Sequence, residues 1–262
     1  MFKSTSIIGA IIGDIVGSAY EWNNKKTVNF DLFTPESDFT DDTVLTIAVA
    51  DCLVNQKDFS TTIKAYGKKY KSRGYGGMFR RWLKSENIKP YGSYGNGSAM
   101  RVSPVGFAFQ SLEKVLEIAK QSADVTHNHP EGIKGAQVVA SSVFLAKNGA
   151  SKSEIKDYVC SKFNYNLNFT LDEIRSSYTF DATCQGSVPQ AVVAFLESYD
   201  YESSIRLAVS IGGDSDTIAC ITGGIASAFY KKIPQFMFNT AINKLRAEFI
   251  DILQKFDENF LQ

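Results

Sequence analysis

Two short acidic clusters in this sequence combine aspartates with hydroxyl residues directly before an apolar segment. The first runs from Phe39 to Thr43, FTDDT, and the second from Ile211 to Thr217, IGGDSDT. Carboxylates this close repel one another unless a positive charge lies between them. A solvated helix start explains either cluster alone, because Asp and Ser cap free backbone N–H groups and complement the helix dipole. A metal site explains both clusters together.

The two clusters supply an all-oxygen set of metal ligands. Such a set, without His or Cys, suits a hard divalent cation, namely Mg²⁺, Mn²⁺ or Ca²⁺. Glu21 adds a further carboxylate, which we predict at the end of the first helix. An EF-hand is excluded by the spacing, because Ile218 takes the next alternate position after Asp216 and the required glycine is absent. The candidate ligands are Thr40, Asp41, Asp42, Asp214, Asp216 and Thr217.

A glycine-rich segment between the clusters, YGSYGNGSAMR from Tyr91 to Arg101, has the composition of an anion-binding loop. Its glycines alternate with Ser, Asn and Tyr, so bare backbone N–H groups can approach an anion. It matches neither the Walker pattern nor GxGxxG, and a structural turn fits it equally well. Both histidines, His127 and His129, lie in THNHPEG. Without further nitrogen or thiolate ligands they do not make a zinc site, so we expect one to contact a phosphate or to cap a helix beginning at Pro130.

Helices must position these motifs, since apolar residues recur with helical spacing along most of the chain. Gly9, Gly13 and Gly17 lie on one helix face and would let a neighbouring backbone approach closely. Period-2 alternation is scarce, and the sequence shows neither a linker nor a solenoid repeat. We therefore predict an all-α fold, a single compact domain over residues 1–262. Predicted helices follow Thr43 and cover about 111–125, 131–149, 151–163, 187–199, 216–230 and 239–256.

The composition is that of an ordinary globular protein, with 44% hydrophobic and 21% charged residues in a chain of 262. Lys+Arg and Asp+Glu both total 28, so the formal net charge is zero and we expect no nucleic-acid partner. Four widely spaced cysteines without a CxxC pair indicate reduced thiols. The apolar stretch after Lys3 is short and interrupted by Asp14. We therefore expect no membrane association and a cytoplasmic monomer.

The order of the motifs resembles the ADP-ribosylglycohydrolase family, which includes dinitrogenase-reductase-activating and ADP-ribosyl-acceptor hydrolases. GDIVGSAYE, FTDDT, RGYGG, GSYGNGSAMRVSPVG, a histidine motif, GSVPQAVVAFL and IGGDSDTIACITGG follow one another between Ile7 and Tyr230. The resemblance implies an all-α, orthogonal helical domain with a binuclear Mg²⁺ or Mn²⁺ site, held by the six ligands above with Glu21 beside them. The two ions would hold the hydroxyls of the distal ribose while water attacks its anomeric carbon through an oxocarbenium-like state.

The resemblance also assigns roles to individual residues. Glu21, Asp41 and Asp216 are the predicted catalytic residues, with Glu21 positioning the attacking water. The glycine loop would hold the diphosphate and stack on the adenine, and residues 74–77 would line the distal ribose. Ile88 stands where some relatives carry an aromatic residue, which leaves Tyr91 or Tyr94 for the adenine. The predicted substrate-binding residues are Gly76, Gly92, Ser93, Tyr94, Gly95, Asn96 and His127.

The predicted function is a metal-dependent hydrolase that cleaves the glycosidic bond between ADP-ribose and an acceptor, reversing ADP-ribosylation. Its partner would be an ADP-ribosylated protein or an ADP-ribose conjugate, and the acceptor stays open among arginine, serine, polymer and small conjugates. The alternatives are a catalytically altered ADP-ribose-binding protein and a generic metal-dependent phosphohydrolase, which would release phosphate. The complete acidic set favours an enzyme, because a purely structural role does not require mutually repelling carboxylates.

Overall fold

The chain folds into α-helices, as its apolar periodicity predicts. A computed structural model describes residues 7–86 and 88–261. Within those ranges there is no strand, and an isolated bridge joins Gly95 to Thr183. The helices are α1 (Ile8–Ser18), α2 (Asp41–Asn55), α3 (Phe59–Lys69), α4 (Gly77–Lys84), α5 (Gly97–Met100), α6 (Ser103–Ala108), α7 (Leu112–Asp124), α8 (Pro130–Lys147), α9 (Lys152–Phe163), α10 (Leu171–Arg175), α11 (Cys184–Glu197), α12 (Tyr201–Ser210), α13 (Ser215–Tyr230), α14 (Gln235–Lys244) and α15 (Ala247–Phe260).

Helices α1 and α13 form the buried centre of a single compact domain, and the glycine face of α1 lies against α13. A Cβ atom added to Gly13 would lie 2.0 Å from the carbonyl oxygen of Ala219, and one added to Gly17 would lie 2.4 Å from that of Ser215. No larger residue fits there without moving a backbone. The predicted close approach is confirmed, and it places the start of α13 beside the end of α1.

Two predicted helix boundaries are wrong. Helix α1 ends at Ser18, so Glu21 lies beyond it in a bend rather than within its last turn. The predicted helix over 239–256 is two helices, because Leu245 and Arg246 have extended backbone, with ψ of 154° and 148°. Helix α14 packs on α1 whereas α15 packs on α2, and the break lets the chain reach both.

The four cysteines, Cys52, Cys160, Cys184 and Cys220, form no disulfide, and all but Cys160 are buried. Burial raises the pKa of the Cys184 thiol to about 12, so this thiol stays protonated at neutral pH. Among the described helices, none is both long and apolar enough to cross a membrane.

Candidate active site

A cleft of about 280 Å³ opens where α2 and α13 begin, and it brings together the two acidic clusters. Asp42, Asp214 and Asp216 are buried in its floor, while the carboxylates of Glu21 and Asp41 are partly exposed to it. Thr217 lines the same floor, and its hydroxyl donates to Asp42 Oδ2 at 3.2 Å. Thr40, the remaining predicted ligand, is the N-cap of α2 and is not part of the cleft wall.

The aspartates of the second cluster do not act as ordinary helix caps. Asp214 occupies the N-cap position of α13, yet its side chain makes no capping hydrogen bond. Its Oδ2 instead accepts from the Asn96 side chain at 2.7 Å. Single carboxylate oxygens of Glu21, Asp214 and Asp216 all lie within 4.8 Å of one another. The solvated-cap explanation is therefore wrong for this cluster, because its carboxylates converge inside the protein.

Asp14, which the sequence showed only as a charge inside an apolar helix, holds the first cluster in place. It is fully buried in α1, and its carboxylate accepts the backbone N–H groups of Thr40 and Thr43 at 3.0 Å each. Both threonine hydroxyls donate to it as well, that of Thr40 at 2.7 Å. These bonds fix the start of α2 against α1. Asp14 is thus a positioning residue for the neighbouring ligands rather than part of the cleft wall.

Burial and mutual repulsion raise the pKa values of the cleft carboxylates. Burial is the main cause for Glu21, whose pKa rises to about 8, with Asp216 and Asp14 adding repulsion. Burial also raises the pKa of Asp214 to about 6, although the hydrogen bonds from Asp216 and Asn96 oppose the rise. The pKa values of Asp41, Asp42 and Asp216 are raised by burial and then by neighbouring carboxylates. The cluster therefore favours bound protons or a bound cation over free negative charge.

The donor set fits a hard divalent cation. Asp42 Oδ1 is buried and has no hydrogen-bond partner among the described residues, as expected of an oxygen that ligates a metal. None of the cleft carboxylates forms an ion pair with a described Lys, Arg or His side chain within 4.0 Å. Carboxylate and hydroxyl oxygens without nitrogen or sulfur suit Mg²⁺ or Mn²⁺.

The wall beside Asp41 carries glycines where a side chain would intrude. Gly74, Gly76 and Gly77 line the cleft, in the segment predicted to face the distal ribose. Gly74 has φ of +102°, and a Cβ there would lie 2.9 Å from Asp41 Oδ1. A side chain at Gly76 would meet nothing within 4 Å and would occupy the cleft itself. Glycine at these positions keeps the space beside Asp41 open.

Three backbone N–H groups of the glycine-rich loop are hydrogen-bonded within the protein. Ser93, Gly95 and Asn96 line the cleft. However, Gly92 N donates to the Asn128 side chain, Gly95 N to Ser93 Oγ and Asn96 N to a backbone carbonyl oxygen. These amides are therefore already hydrogen-bonded within the protein. An anion here would therefore not be bound by these three amides, whereas the side chains of Ser93, Asn96 and His127 offer hydroxyl, amide and imidazole groups in the cleft wall.

His127 offers one such group. Its Nδ1 lies 2.7 Å from the Thr126 hydroxyl, which itself accepts a hydrogen bond from Arg101 Nη2. The hydroxyl can therefore donate to Nδ1, which leaves the proton of a neutral imidazole on Nε2. Burial and the charge of Arg101 lower the pKa of His127 well below its usual value, so the ring is neutral. Nε2 faces the loop, 3.1 Å from where a Cβ on Gly97 would lie.

Arg101 is, with Asp14, a residue at this site whose importance the sequence did not reveal. Its side chain is fully buried and lines the cleft, and Nη2 donates to the Ser122 carbonyl oxygen at 2.7 Å. Nε and Nη1 have no hydrogen-bond partner among the described residues. A buried guanidinium without a carboxylate beside it gives this end of the cleft a positive potential. That potential suits a phosphate group.

Two predicted substrate-binding residues lie outside the cleft wall. Gly92 is exposed, with φ of +69°, and Tyr94 is 49% exposed with its ring centroid 5.3 Å from that of His129. Tyr91 lines the cleft instead. The alternative histidine role is confirmed for His129, the N-cap of α8, because its Nδ1 accepts from Glu131 N at 3.2 Å.

Comparisons with known proteins agree on one family. The model of the ADP-ribosylglycohydrolase family matches residues 5–259. ADP-ribosylhydrolase ARH3 of Homo sapiens is 27% identical over 304 residues, covering 86% of this chain and 84% of that protein. ADP-ribosylarginine hydrolase Tri1 of Pseudomonas putida is 27% identical over 301 residues, covering 97% and 79%. A solved structure, an ADP-ribosylglycohydrolase-related protein complex, has a TM-score of 0.73 at 21% identity, covering 98% and 96% of the two chains. At this identity the similarity to the solved structure concerns the fold alone.

Proposed function

Because this chain belongs to the ADP-ribosylglycohydrolase family, we propose that it is a metal-dependent hydrolase that cleaves the glycosidic bond between ADP-ribose and an acceptor group. The observation that carries this proposal is the cleft itself. One end holds converging carboxylates without a cationic partner among the described residues, and the other holds His127 and the buried Arg101. A ligand with a diol at one end and a diphosphate at the other matches that distribution of charge.

The acidic end would hold two Mg²⁺ or Mn²⁺ ions, through Thr40, Asp41, Asp42, Asp214, Asp216 and Thr217. When bound, the ions would supply positive charge that binds the ribose hydroxyls and withdraws electron density from the sugar. Glu21 lies at the edge of the ligands, with a carboxylate oxygen within 4.8 Å of oxygens of Asp214 and Asp216. We assign it to the attacking water, which it would orient and from which it would accept a proton as the acceptor leaves the anomeric carbon.

The other end would hold the ADP portion. Ser93, Asn96 and the Nε2–H of His127 are donors along the wall, and Arg101 supplies positive charge behind them. A volume of about 280 Å³ is at the lower end for ligand sites. The cleft would therefore enclose the distal ribose and diphosphate, and the adenine would lie at the rim. We assign the adenine to Tyr94, which is 49% exposed and directly follows the cleft-lining Ser93.

One assay separates this function from its two alternatives. Peptides carrying ADP-ribose on arginine or on serine are incubated with the protein and Mg²⁺, and the products are identified by mass. We expect unmodified peptide and intact ADP-ribose. A phosphohydrolase would leave a phosphoribosyl group on the peptide, and a binding protein would leave the substrate unchanged. Arginine is included because the Pseudomonas putida relative is named for ADP-ribosylarginine.

Glu21→Gln tests the assignment of the water to this carboxylate. We expect kcat to fall at least about 100-fold, because general base catalysis contributes about 10²–10⁴-fold. Affinity for ADP-ribose should stay within about twofold of wild type, since Gln keeps the size of the side chain. Steady-state kinetics and calorimetry measure the two quantities. Glu36→Gln, at an exposed glutamate outside the cleft, is the control. An unchanged kcat in Glu21→Gln would remove Glu21 from the chemistry.

Tyr94→Ala tests the adenine position at the rim. We expect ADP-ribose affinity to fall by about 1–3 kcal/mol, the usual contribution of one base–aromatic stack, with little change in kcat. Affinity for ribose 5-phosphate, which has no adenine, should stay the same. Tyr199→Ala removes a ring that is 83% exposed and lies outside the cleft, and it serves as the control. Equal ADP-ribose affinity of Tyr94→Ala and wild type would show that the adenine binds elsewhere.

A further inference from the structure

Two aromatic rings stand exposed at the mouth of the cleft. Trp22 is 82% exposed and Phe180 is 48% exposed. Their ring centroids are 5.6 Å apart and their planes differ by 16°, so the rings are stacked in parallel. Phe180 also lines the cleft. A stacked pair of large apolar rings open to solvent beside a binding cleft is typical of a contact surface for a ligand.

The pair lies on the side of the cleft where the proposed reaction occurs. Trp22 directly follows Glu21 in the chain, so its ring is carried on the same bend as the Glu21 carboxylate. Glu21 in turn lies beside Asp214 and Asp216. In the proposed function the acceptor leaves from the anomeric carbon at this acidic end, away from the diphosphate. The acceptor therefore leaves on the side of the cleft that carries Glu21 and Phe180.

Both rings are carried on segments that are tied to the second acidic cluster. Asn24 Oδ1 accepts from Gly213 N at 2.8 Å, and Asn24 Nδ2 donates to the Glu21 carbonyl oxygen at 2.7 Å. Lys26 Nζ donates to the carbonyl oxygens of Tyr178 and Ile211, at 2.6 and 2.5 Å. These bonds connect the chain around Trp22, the chain before Phe180 and the turn before α13. The positions of the rings are thus set by the same turn that sets the carboxylates.

The chemistry of the pair matches a planar cation. A guanidinium group stacks on the face of Trp or Phe through dispersion and cation–π attraction, whereas a serine hydroxyl has neither a plane nor a charge. Lys26, a cation close by in the sequence, is directed at two carbonyl oxygens and is not presented to the rings. We infer that Trp22 and Phe180 form an acceptor subsite that selects guanidinium-linked ADP-ribose, as on arginine, over hydroxyl-linked ADP-ribose. This inference rests on the proposed function.

The test compares kcat/KM for two peptides of the same sequence, one with ADP-ribose on arginine and the other with ADP-ribose on serine. We expect wild type to favour the arginine substrate, and the ratio of the two kcat/KM values to fall roughly fivefold to tenfold in Trp22→Ala and in Phe180→Ala, mainly through KM. Trp22→Phe keeps an aromatic ring at this position, so it should retain most of the ratio. Tyr199→Ala, an exposed aromatic outside the cleft, should leave the ratio unchanged.

A second readout does not depend on turnover. The chain has two tryptophans, and Trp82 is only 5% exposed. In a Trp82→Phe background with Glu21→Gln, emission from Trp22 should change when the arginine-linked peptide binds. The serine-linked peptide and free ADP-ribose should have little effect. This measurement reports contact with the acceptor directly.

The possible outcomes separate this inference from the proposed function. If wild type cleaves the peptides but the arginine-to-serine ratio is the same in Trp22→Ala and Phe180→Ala, the acceptor subsite is overturned and the hydrolase activity stands. A wild-type preference for the serine substrate would likewise overturn the acceptor subsite and leave the hydrolase activity standing. If wild type cleaves neither peptide, the proposed function fails and the acceptor subsite fails with it. A fall in the ratio together with the Trp22 signal supports both.

Discussion

Asp41→Asn and Asp214→Asn are each expected to lower kcat at least about 100-fold, the scale of losing one charge that stabilises the transition state. Asparagine keeps the shape of the side chain, so the loss reports the missing charge rather than a cavity. Asp41 belongs to the start of α2 and Asp214 to the start of α13, 173 positions later in the chain (214 − 41), yet both line one cleft. Each substitution therefore weakens the same cation site from a different helix.

The double variant Asp41→Asn/Asp214→Asn gives the sharper result. If both carboxylates serve one cation site, the kcat of the double variant should be only slightly below that of the slower single variant. Either substitution alone already disables the shared site. Steady-state and single-turnover rates at saturating Mg²⁺ provide the comparison. Asp51→Asn is a matched control, since Asp51 is also buried but does not line the cleft. Its carboxylate pairs with Lys57 Nζ at 2.8 Å. The substitution should lower the melting temperature without lowering kcat. Losses that multiply in the double variant would mean that Asp41 and Asp214 act independently.

The starts of the two helices that carry the acidic clusters could be predicted because their causes are local. Each cluster combines capping residues with the start of an apolar helical pattern, and the structure begins α2 at Asp41 and α13 at Ser215. The glycines of α1 likewise predicted a close neighbour, because a Cβ on Gly13 has no room. These inferences needed only one helix at a time and one elementary property of its residues.

The parts of the site that could not be predicted depend on partners distant in the chain. Asp14 is recognisable only as a charge in an apolar helix until Thr40 and Thr43 are placed against it. The choice between Tyr91 and Tyr94 depends on the left-handed turn at Gly92, which directs neighbouring side chains to different surfaces. In the sequence Arg101 is indistinguishable from other basic residues. Its role became visible only in the structure, where its guanidinium is buried and no carboxylate among the described residues lies beside it.

The fold was predicted least well where short helices carry little apolar surface. Helix α3 has charged and hydroxyl residues at many positions and buries only Thr62, Ile63, Lys64 and Gly67. Its start is marked by Asp58, whose side chain accepts from Thr61 N. Helix α12 similarly begins with a capping box at Asp200 and Ser203. In both cases the cap was present in the sequence, but the apolar pattern after it was too short to predict a helix.

Removing divalent cations with EDTA is expected to abolish turnover and to make stability depend on pH. In the metal-free protein the pKa of Glu21 is about 8, against 4.5 for the free side chain, and that of Asp214 is about 6, against 3.8. The folded state therefore holds protons that the unfolded state has released. Because stability falls with pH wherever the folded state binds more protons, the free energy of unfolding should decrease as pH rises from about 4 to about 8.

Mg²⁺ or Mn²⁺ should remove most of that dependence, since a cation replaces the protons and binds only the folded, deprotonated cluster. The melting temperature is measured between pH 5 and pH 8, in EDTA and with each cation at constant ionic strength. The melting temperature with Mg²⁺ or Mn²⁺ should exceed that in EDTA only slightly at pH 5 and by the largest amount at pH 8. K⁺ should not raise the melting temperature in this way. In Asp41→Asn/Asp214→Asn the difference should nearly vanish, because the charge that attracts the cation is gone. Identical melting temperatures and rates with and without EDTA at pH 8 would rule out a cation at this cluster.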